Sequence, residues 1–343
     1  MKKIKLLLIL TLACGAMMVT TSCSKKSKAN NEEKEQTYAW PLATCSTDDT
    51  ITNVFAVTFA EQVKKLSNGK MKIQVYSNST LGGDRELLES CKDGDIPFVV
   101  QSPATQVSFM PQLCVFDSPC AFDTIEQARK AVDDPEFLSK IKDIYKDAGY
   151  QLLAFGDQGF RVMTTKKEFT GYESFKGQKI RTMENNFHIQ FWKALGANPT
   201  PMSFSEVYIG LQQGTIDAQE NAYEIIVSAK LYEQQKKVIE TNAVPDYISL
   251  IVSDSFYKGL KPEQQKIVRE ASKIAQETAR SQADTRRDKR VSELTKDGME
   301  IVQVDKATWK KMQESSSNVY NSIQKQSGKE LFDLYMKNST SKH

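Results

Sequence analysis

The chain has 343 residues, 40% of them hydrophobic and 26% charged, with 46 basic against 43 acidic side chains. That length and apolar content support one large or two modest domains with a real core. The surplus of three positive charges equals Lys2, Lys3 and Lys5 at the start of the chain, so the remainder is near neutral and charge gives no case for a nucleic-acid partner.

"MKKIKLLLILTLACGAMMVTTSC" sets those lysines before an apolar run from Leu6 to Val19, then small residues, then Cys23. This is the layout of a secretory signal over residues 1–22, and its run is short for spanning a bilayer. Cys23 follows Thr20, Thr21 and Ser22 and precedes the polar tract "SKKSKANNEEKEQ". It resembles the lipid-bearing cysteine of a bacterial lipoprotein, which makes residues 23–36 a lipid-anchored tether; ordinary signal-peptidase cleavage is the alternative. The expected location is therefore extracytoplasmic, anchored to the membrane in the periplasm or at the cell surface, where disulfides are permitted. Past the tether stand Cys45, Cys91, Cys114 and Cys120, and "CVFDSPC" (114–120) could close a small loop. None of the spacings reads as a zinc site.

"TYAWPL" reads as a first strand. Residues 51–67 follow as a helix whose face carries Val54, Phe55, Val57, Phe59 and Val63, and "MKIQVY" (71–76) alternates as a strand should. "GGDRELLESCKDGDIPFVV" then supplies a glycine turn, a short helix and another strand. The rhythm recurs over 124–155, with "TIEQARKAVDDPEFLSKIKDIYKDAG" as helix and "YQLLAF" as strand, and again over 178–220. Strand–helix–strand repetition of this kind predicts an α/β architecture with largely parallel pairing. "NNFHIQFWKAL" reads as a helix on which His188 lies half-buried beside Phe191, Trp192 and Leu195. Between Pro262 and Gly298 there is no other Gly or Pro, and Ile267, Val268, Ala271, Ile274, Ala275 and Ala279 share one face. Because this Ala-rich stripe drifts off heptad spacing, the segment reads as one long helix, or two nearly continuous ones, laid across two lobes.

His188 and His343 are the only histidines, so a Ser/His/Asp triad or a His-rich metal site is hard to assemble. No phosphate-cradling glycine motif or dinucleotide fingerprint is present, and neither a cofactor nor a metal is expected. Paired-carboxylate chemistry stays open. The constellation that carries a signal lies between residues 161 and 221. "FRVMTT" puts Arg161 within or beside a strand, "GQKIRT" puts Arg181 at a strand end, and "LGANPTPMSFSEVYIGLQQGTIDAQENA" supplies a proline-rigid turn, a capped helix and a short strand ending at Asn221. In an open α/β sheet, ligands bind beyond the carboxyl ends of the strands. Two guanidiniums and a carboxamide there make a carboxylate receptor, because the planar fork of arginine meets both oxygens of a carboxylate.

From Tyr38 to Leu334 the chain resembles the substrate-binding proteins of TRAP (tripartite ATP-independent periplasmic) transporters, of the C4-dicarboxylate-binding type. The resemblance is carried by "SNGKMKIQVYSNSTLGGDREL", "FKGQKIR", "LGANPTPMSFSEVYIGLQQGTIDAQEN" and "LKPEQQKIVREA". It implies a two-lobe periplasmic-binding-protein-like fold with a cleft, two crossing strands and a long helix spanning both lobes. Residues 37–158 and 247–286 would form the first lobe, and 159–246 and 287–338 the second. It further implies a monomeric, non-enzymatic protein that captures a small organic acid and delivers it to TRAP membrane permease subunits. In the family the arginine of the "KIR" motif makes the bidentate contact with the ligand carboxylate, which here is Arg181. Arg161 and Asn221 match two further ligand contacts, and Phe204 matches the aromatic that packs against the ligand. Glu220 is expected to orient an arginine rather than to touch an anion.

Compared with sialic-acid-binding members, Glu184 stands where those have Asn, Ser102 beside Gln101 replaces an acidic contact, and Cys45 falls near the position of another Asn. Asp84 of "GGDR" is kept. The carboxylate clamp is thus intact while the far end of the pocket is altered, which favours a dicarboxylate, a uronate or another sugar acid over sialic acid, with Glu184 able to accept bonds from ligand hydroxyls. The alternatives are a ligand-sensing module for a membrane receptor kinase and a secreted carboxylate-based enzyme acting on acidic sugars.

Overall fold

A computed structural model describes residues 38–339. The secretory signal, Cys23 and the polar tether lie outside the described residues. The chain opens with β1 (Tyr38–Ala43), α1 (Ile51–Leu66), β2 (Met71–Tyr76), α2 (Asp84–Asp93) and β3 (Phe98–Gln101). Next come α3 (Ile125–Val132), α4 (Pro135–Asp147), β4 (Tyr150–Phe160), β5 (Val162–Thr165), β6 (Lys179–Thr182), α5 (Asn186–Ala194) and β7 (Asn198–Pro201). They are followed by α6 (Val207–Gln213), β8 (Ala218–Asn221), α7 (Tyr223–Ser228), β9 (Lys237–Glu240) and β10 (Pro245–Ser253). The chain ends with α8 (Asp254–Gly259), α9 (Pro262–Lys296), β11 (Glu300–Gln303), α10 (Lys306–Ser315), α11 (Ser317–Ser327) and α12 (Lys329–Met336).

The strands form two sheets, one ordered β2-β1-β3-β10-β4 and the other β11-β9-β5-β8-β6-β7. β1 lies parallel to β2 and β3, and β6 lies parallel to β7 and β8, as the strand–helix–strand rhythm predicts. The pairing is nonetheless mixed, because β10 runs antiparallel to β3 and β4, and β5 runs antiparallel to β8 and β9. These are the segments that carry the chain between the sheets. It leaves the first sheet along β4 and returns along β10, so the two must point in opposite directions. Near the crossing, the β10–β4 register shifts between Pro245 and Tyr247, and Gly159 adopts the left-handed φ of +82° that glycine takes without strain.

Two local readings change. The single helix expected over 124–149 is two: Asp134 accepts bonds from the backbone N–H groups of Glu136 and Phe137, and Pro135 takes the first helical position, so α4 starts anew after α3. The proline-rigid turn of "NPTP" is the edge strand β7, a place where missing backbone donors are tolerated. The long helix is continuous over 35 residues. Val268, Ala271, Ala275 and Ala279 pack with Phe55, Phe59 and Val63 of α1, whereas Leu294 packs with Val162, Val238 and Met299, so α9 contributes to the cores beneath both sheets. Helices α11 and α12 lie against the 3₁₀ segment Pro111–Asp117, and α12 also lies against α3 and α4. Cys114 is a buried thiol within 3.8 Å of the Ile323 carbonyl oxygen, so the loop 114–120 is not closed by a disulfide. No helix among the described residues is long and apolar enough to cross a membrane.

Candidate functional site

The ends of β1, β3, β6 and β8 converge on one recess between the sheets, lined by Cys45, Asp84, Gln101, Ser102, Arg161, Arg181, Phe204 and Asn221. Seven of the eight candidate ligand residues therefore meet. The eighth, Glu184, is exposed and lines an outer groove that shares Asp84, Arg181 and Phe204 with the recess. Its position three residues past Arg181 carries it beyond the end of β6, where it lines that outer groove.

Arg161 occupies the single residue between β4 and β5 and is 4% exposed. All three nitrogens of its guanidinium donate to neighbours. Nε donates to Glu220 Oε2, Nη1 donates to Asp246 Oδ1 at 2.8 Å, and Nη2 donates to Glu220 Oε1 and to Asn221 Oδ1, each at 3.1 Å. Burial opposes the charge, but Glu220 and Asp246 outweigh it and hold the proton more firmly than in an ordinary arginine. Glu220 thus orients an arginine, as anticipated.

His188 extends this network. Its Nε2 lies 3.0 Å from Asp117 Oδ1 and its Nδ1 lies 3.4 Å from Glu220 Oε1. The expected half-buried helix histidine is in fact 3% exposed and bracketed by two carboxylates. Burial would push its imidazolium down, yet Asp117 and Glu220 raise it to about 9, so it is a cation at neutral pH. Glu220 responds in kind: burial would raise it, but Arg161 and His188 bring it down to about 2. Asp117 also accepts a 2.7 Å bond from Asn185 Nδ2, whose side-chain oxygen caps α5. The sequence reading missed Asp117, Asp246 and His188 as members of the site. One signal was available: Asp117 in "CVFDSP" and Asp246 in "AVPDYISLIV" are lone acids inside apolar runs, and a buried acid needs a partner.

Arg181 is a different kind of arginine. It is 3% exposed, on β6, and its Nε and Nη2 both donate to one backbone carbonyl, that of Met202, at 3.0 and 2.7 Å. No carboxylate among the described residues bonds it. Burial and the neighbouring charge of Arg161 push its guanidinium down to about 10, against the attraction of Glu220, Asp84 and Glu184. The Met202 carbonyl fixes one edge of the fork and leaves the other toward the recess. On the opposite wall, Gln101 is 3% exposed at the end of β3 and neither side-chain atom has a partner among the described residues. Cys45 donates to the Gly82 carbonyl at 3.5 Å, and burial first, then Asp84, keeps its thiol protonated. Asp84 is itself raised by burial, with Glu184 and Glu86 adding to that and Cys45 and Arg181 opposing it. Among the described residues no group of three or more His, Cys, Asp or Glu is placed to hold a metal ion.

The chain matches the family model "Bacterial extracellular solute-binding protein, family 7" over residues 42–327. It is 33% identical over 255 residues to a solute-binding protein of Verminephrobacter eiseniae, covering 73% of this chain and 75% of that one. The fold superposes on a sugar-acid-binding protein of Advenella mimigardefordensis solved with galactonate, with a TM-score of 0.85 and 27% identity, over 88% of this chain and 98% of the other. It also superposes on a TRAP periplasmic solute-binding protein of Sulfurospirillum deleyianum solved with succinate, with a TM-score of 0.83 and 27% identity, over 88% and 98%. With two lobes enclosing a recess that presents a buried arginine, and with the family model spanning both sheets, the chain belongs to the bacterial extracellular solute-binding proteins of family 7, the substrate-binding proteins of TRAP transporters.

Proposed function

We propose that this protein captures one small organic acid in the recess, holds its carboxylate on Arg181, and presents it to TRAP membrane permease subunits. One observation carries the reading. Arg181 is a buried guanidinium whose only bonded partner among the described residues is the neutral Met202 carbonyl. A buried cation without a counter-ion is costly, and an incoming carboxylate supplies both the charge and the acceptors. Asn221 and Phe204 line the same recess, as do Asp84, Gln101 and Ser102, and each is assigned a ligand-facing role; Glu184 acts from the rim. Arg161 lines the recess too and is assigned a ligand-facing role through the Nη1 hydrogen that Asp246 does not take, while its Nε and Nη2 position Glu220 and Asn221.

The protein acts as a binder and not an enzyme. His188, the sole histidine among the described residues, is held between Asp117 and Glu220 and so is no general base. We place hinge closure at the crossing strands near Gln158 and Tyr247, with the lobe boundaries read from the sequence. The leader and Cys23 support lipid anchoring outside the cytoplasm, and acyl mass on Cys23 in spectra of the mature N-terminus is the expected finding. A thermal-shift screen of organic acids, followed by calorimetric titration of Arg181→Lys, tests the central reading. A ligand that raises the melting temperature of the parent and binds the variant at least about tenfold more weakly supports it. Binding of the variant within about threefold of the parent overturns it.

A further inference from the structure

The wall facing Arg181 carries its own chemical demand. Gln101 ends β3 with Nε2 and Oε1 both buried and without a protein partner among the described residues. An amide in this state needs one group that donates and one that accepts. Gln158, also on the recess wall, donates from Nε2 to Asp246 Oδ2 at 3.2 Å and leaves its buried Oε1 in want of a donor. Two of the three orphaned atoms are therefore acceptors, and of the groups a ligand can bring, O–H and N–H satisfy them.

A carboxylate at that end fails on two counts. It has no proton to give to either Oε1, and it sets negative oxygens against them. Nor is there a second cation with charge to spare for it, because Arg161 is already balanced by Glu220 and Asp246. A hydroxyl meets the demand, since it donates to Oε1 and accepts from Nε2 at once. Ser102 and Thr105 add hydroxyl oxygens to the same wall.

We infer that the recess selects polyhydroxylated monocarboxylates, the aldonate and uronate class, over dicarboxylates, with Gln101 and Gln158 reading hydroxyls remote from the carboxylate held by Arg181. This rests on the reading that the recess is the ligand site, and it narrows the ligand from organic acids in general to one class.

The test is calorimetric titration of the full mature chain with galactonate, galactarate and succinate, on the parent, Gln101→Met and Arg181→Lys. Galactarate differs from galactonate by a second carboxylate in place of the terminal hydroxymethyl group, so the pair isolates the far end of the pocket. The expected result is that galactonate binds the parent at least about tenfold more tightly than galactarate or succinate, and that Gln101→Met weakens galactonate by about tenfold or more. The melting temperature of ligand-free Gln101→Met should equal or exceed the parent's, because the substitution removes two unsatisfied polar atoms from the interior. A drop there would show a structural role for Gln101 and overturn the assignment. Succinate or galactarate binding as tightly as galactonate, while Arg181→Lys still weakens every acid, overturns the inference and leaves the carboxylate site standing. Failure of all three acids to bind, or an Arg181→Lys variant that binds like the parent, overturns both.

Discussion

Arg161 and Arg181 stand on neighbouring segments of one recess, and both are almost fully buried, at 4% and 3% exposed. From the sequence the two look alike, each a lone arginine at or beside a strand end. Their surroundings differ in kind. Arg161 is enclosed by Glu220, Asp246 and Asn221, and Glu220 is in turn bound by His188, which reaches Asp117. Arg181 has one carbonyl. The same side chain is thus ion-paired within the scaffold in one place and bonded only to a neutral carbonyl in the other. What separates them is whether the fold sets a carboxylate within bonding distance of the guanidinium.

The largest effect expected from this contrast is on folding. Arg161→Met leaves Glu220 and Asp246 as buried acids without their cation and should cost about 3–5 kcal/mol in denaturant unfolding. Arg181→Met should cost less than about 1 kcal/mol or stabilise the ligand-free protein, because it removes an uncompensated buried charge. Equal losses for the two variants would erase the distinction.

Affinity comes next and runs the other way. Arg181→Ala should weaken the acid ligand by more than about a hundredfold, and Arg181→Lys by about tenfold to a hundredfold, since lysine keeps the charge but loses the fork. Titration calorimetry on variants with parent-like circular dichroism measures this apart from folding.

The pH dependence sharpens the Arg161 side. His188 is raised in the folded protein from 6.5 to about 9. Its contribution to stability is full below pH 6.5 and is lost as pH rises through about 9. The loss is on the order of 3 kcal/mol. Glu220, lowered from 4.5 to about 2, contributes above pH 4.5 and loses that contribution as pH falls through about 2. Unfolding free energy followed from pH 6 to 9.5 should therefore decline in the parent and be flatter in His188→Gln. A parent profile with no decline over that range would show that His188 is neutral in the network.

Asn221→Ala should destabilise far less than Arg161→Met. It deletes one acceptor for Arg161 and the 2.6 Å donor to Gln219 Oε1, yet it leaves both carboxylate partners of Arg161 in place. A stability loss of about 1–2 kcal/mol is expected. A loss as large as that of Arg161→Met would mean that the carboxamide, and not the carboxylates, anchors the arginine.

Much of this was legible in the sequence, for local reasons. The alternation of "MKIQVY", the apolar face of 51–66 and the uninterrupted stretch from Pro262 fixed β2, α1 and α9, because a strand repeats every two residues and a helix every 3.6. The placement of Arg181 at a strand end, with Asn221 ending another, was equally local, and parallel strands bring such ends together. The break at Asp134-Pro135 was present in the residues but was overridden by the apolar periodicity on either side of it.

Tertiary structure alone decided which charges met. Arg161 finds Asp246 at a separation of 85 residues, His188 finds Asp117 at 71, and both share Glu220. No periodicity encodes such pairings, because they depend on how two sheets are set against each other by crossing strands. The same holds for what stays unpaired. That Arg181 bonds only the Met202 carbonyl and the Gln101 amide has no partner among the described residues, while Glu184 lines an outer groove, follows from the long-range packing around them. The sequence supplied the chemistry of the recess, and the packing determined which of its charged and polar groups were bonded within the scaffold and which line the recess without a carboxylate or amide partner among the described residues.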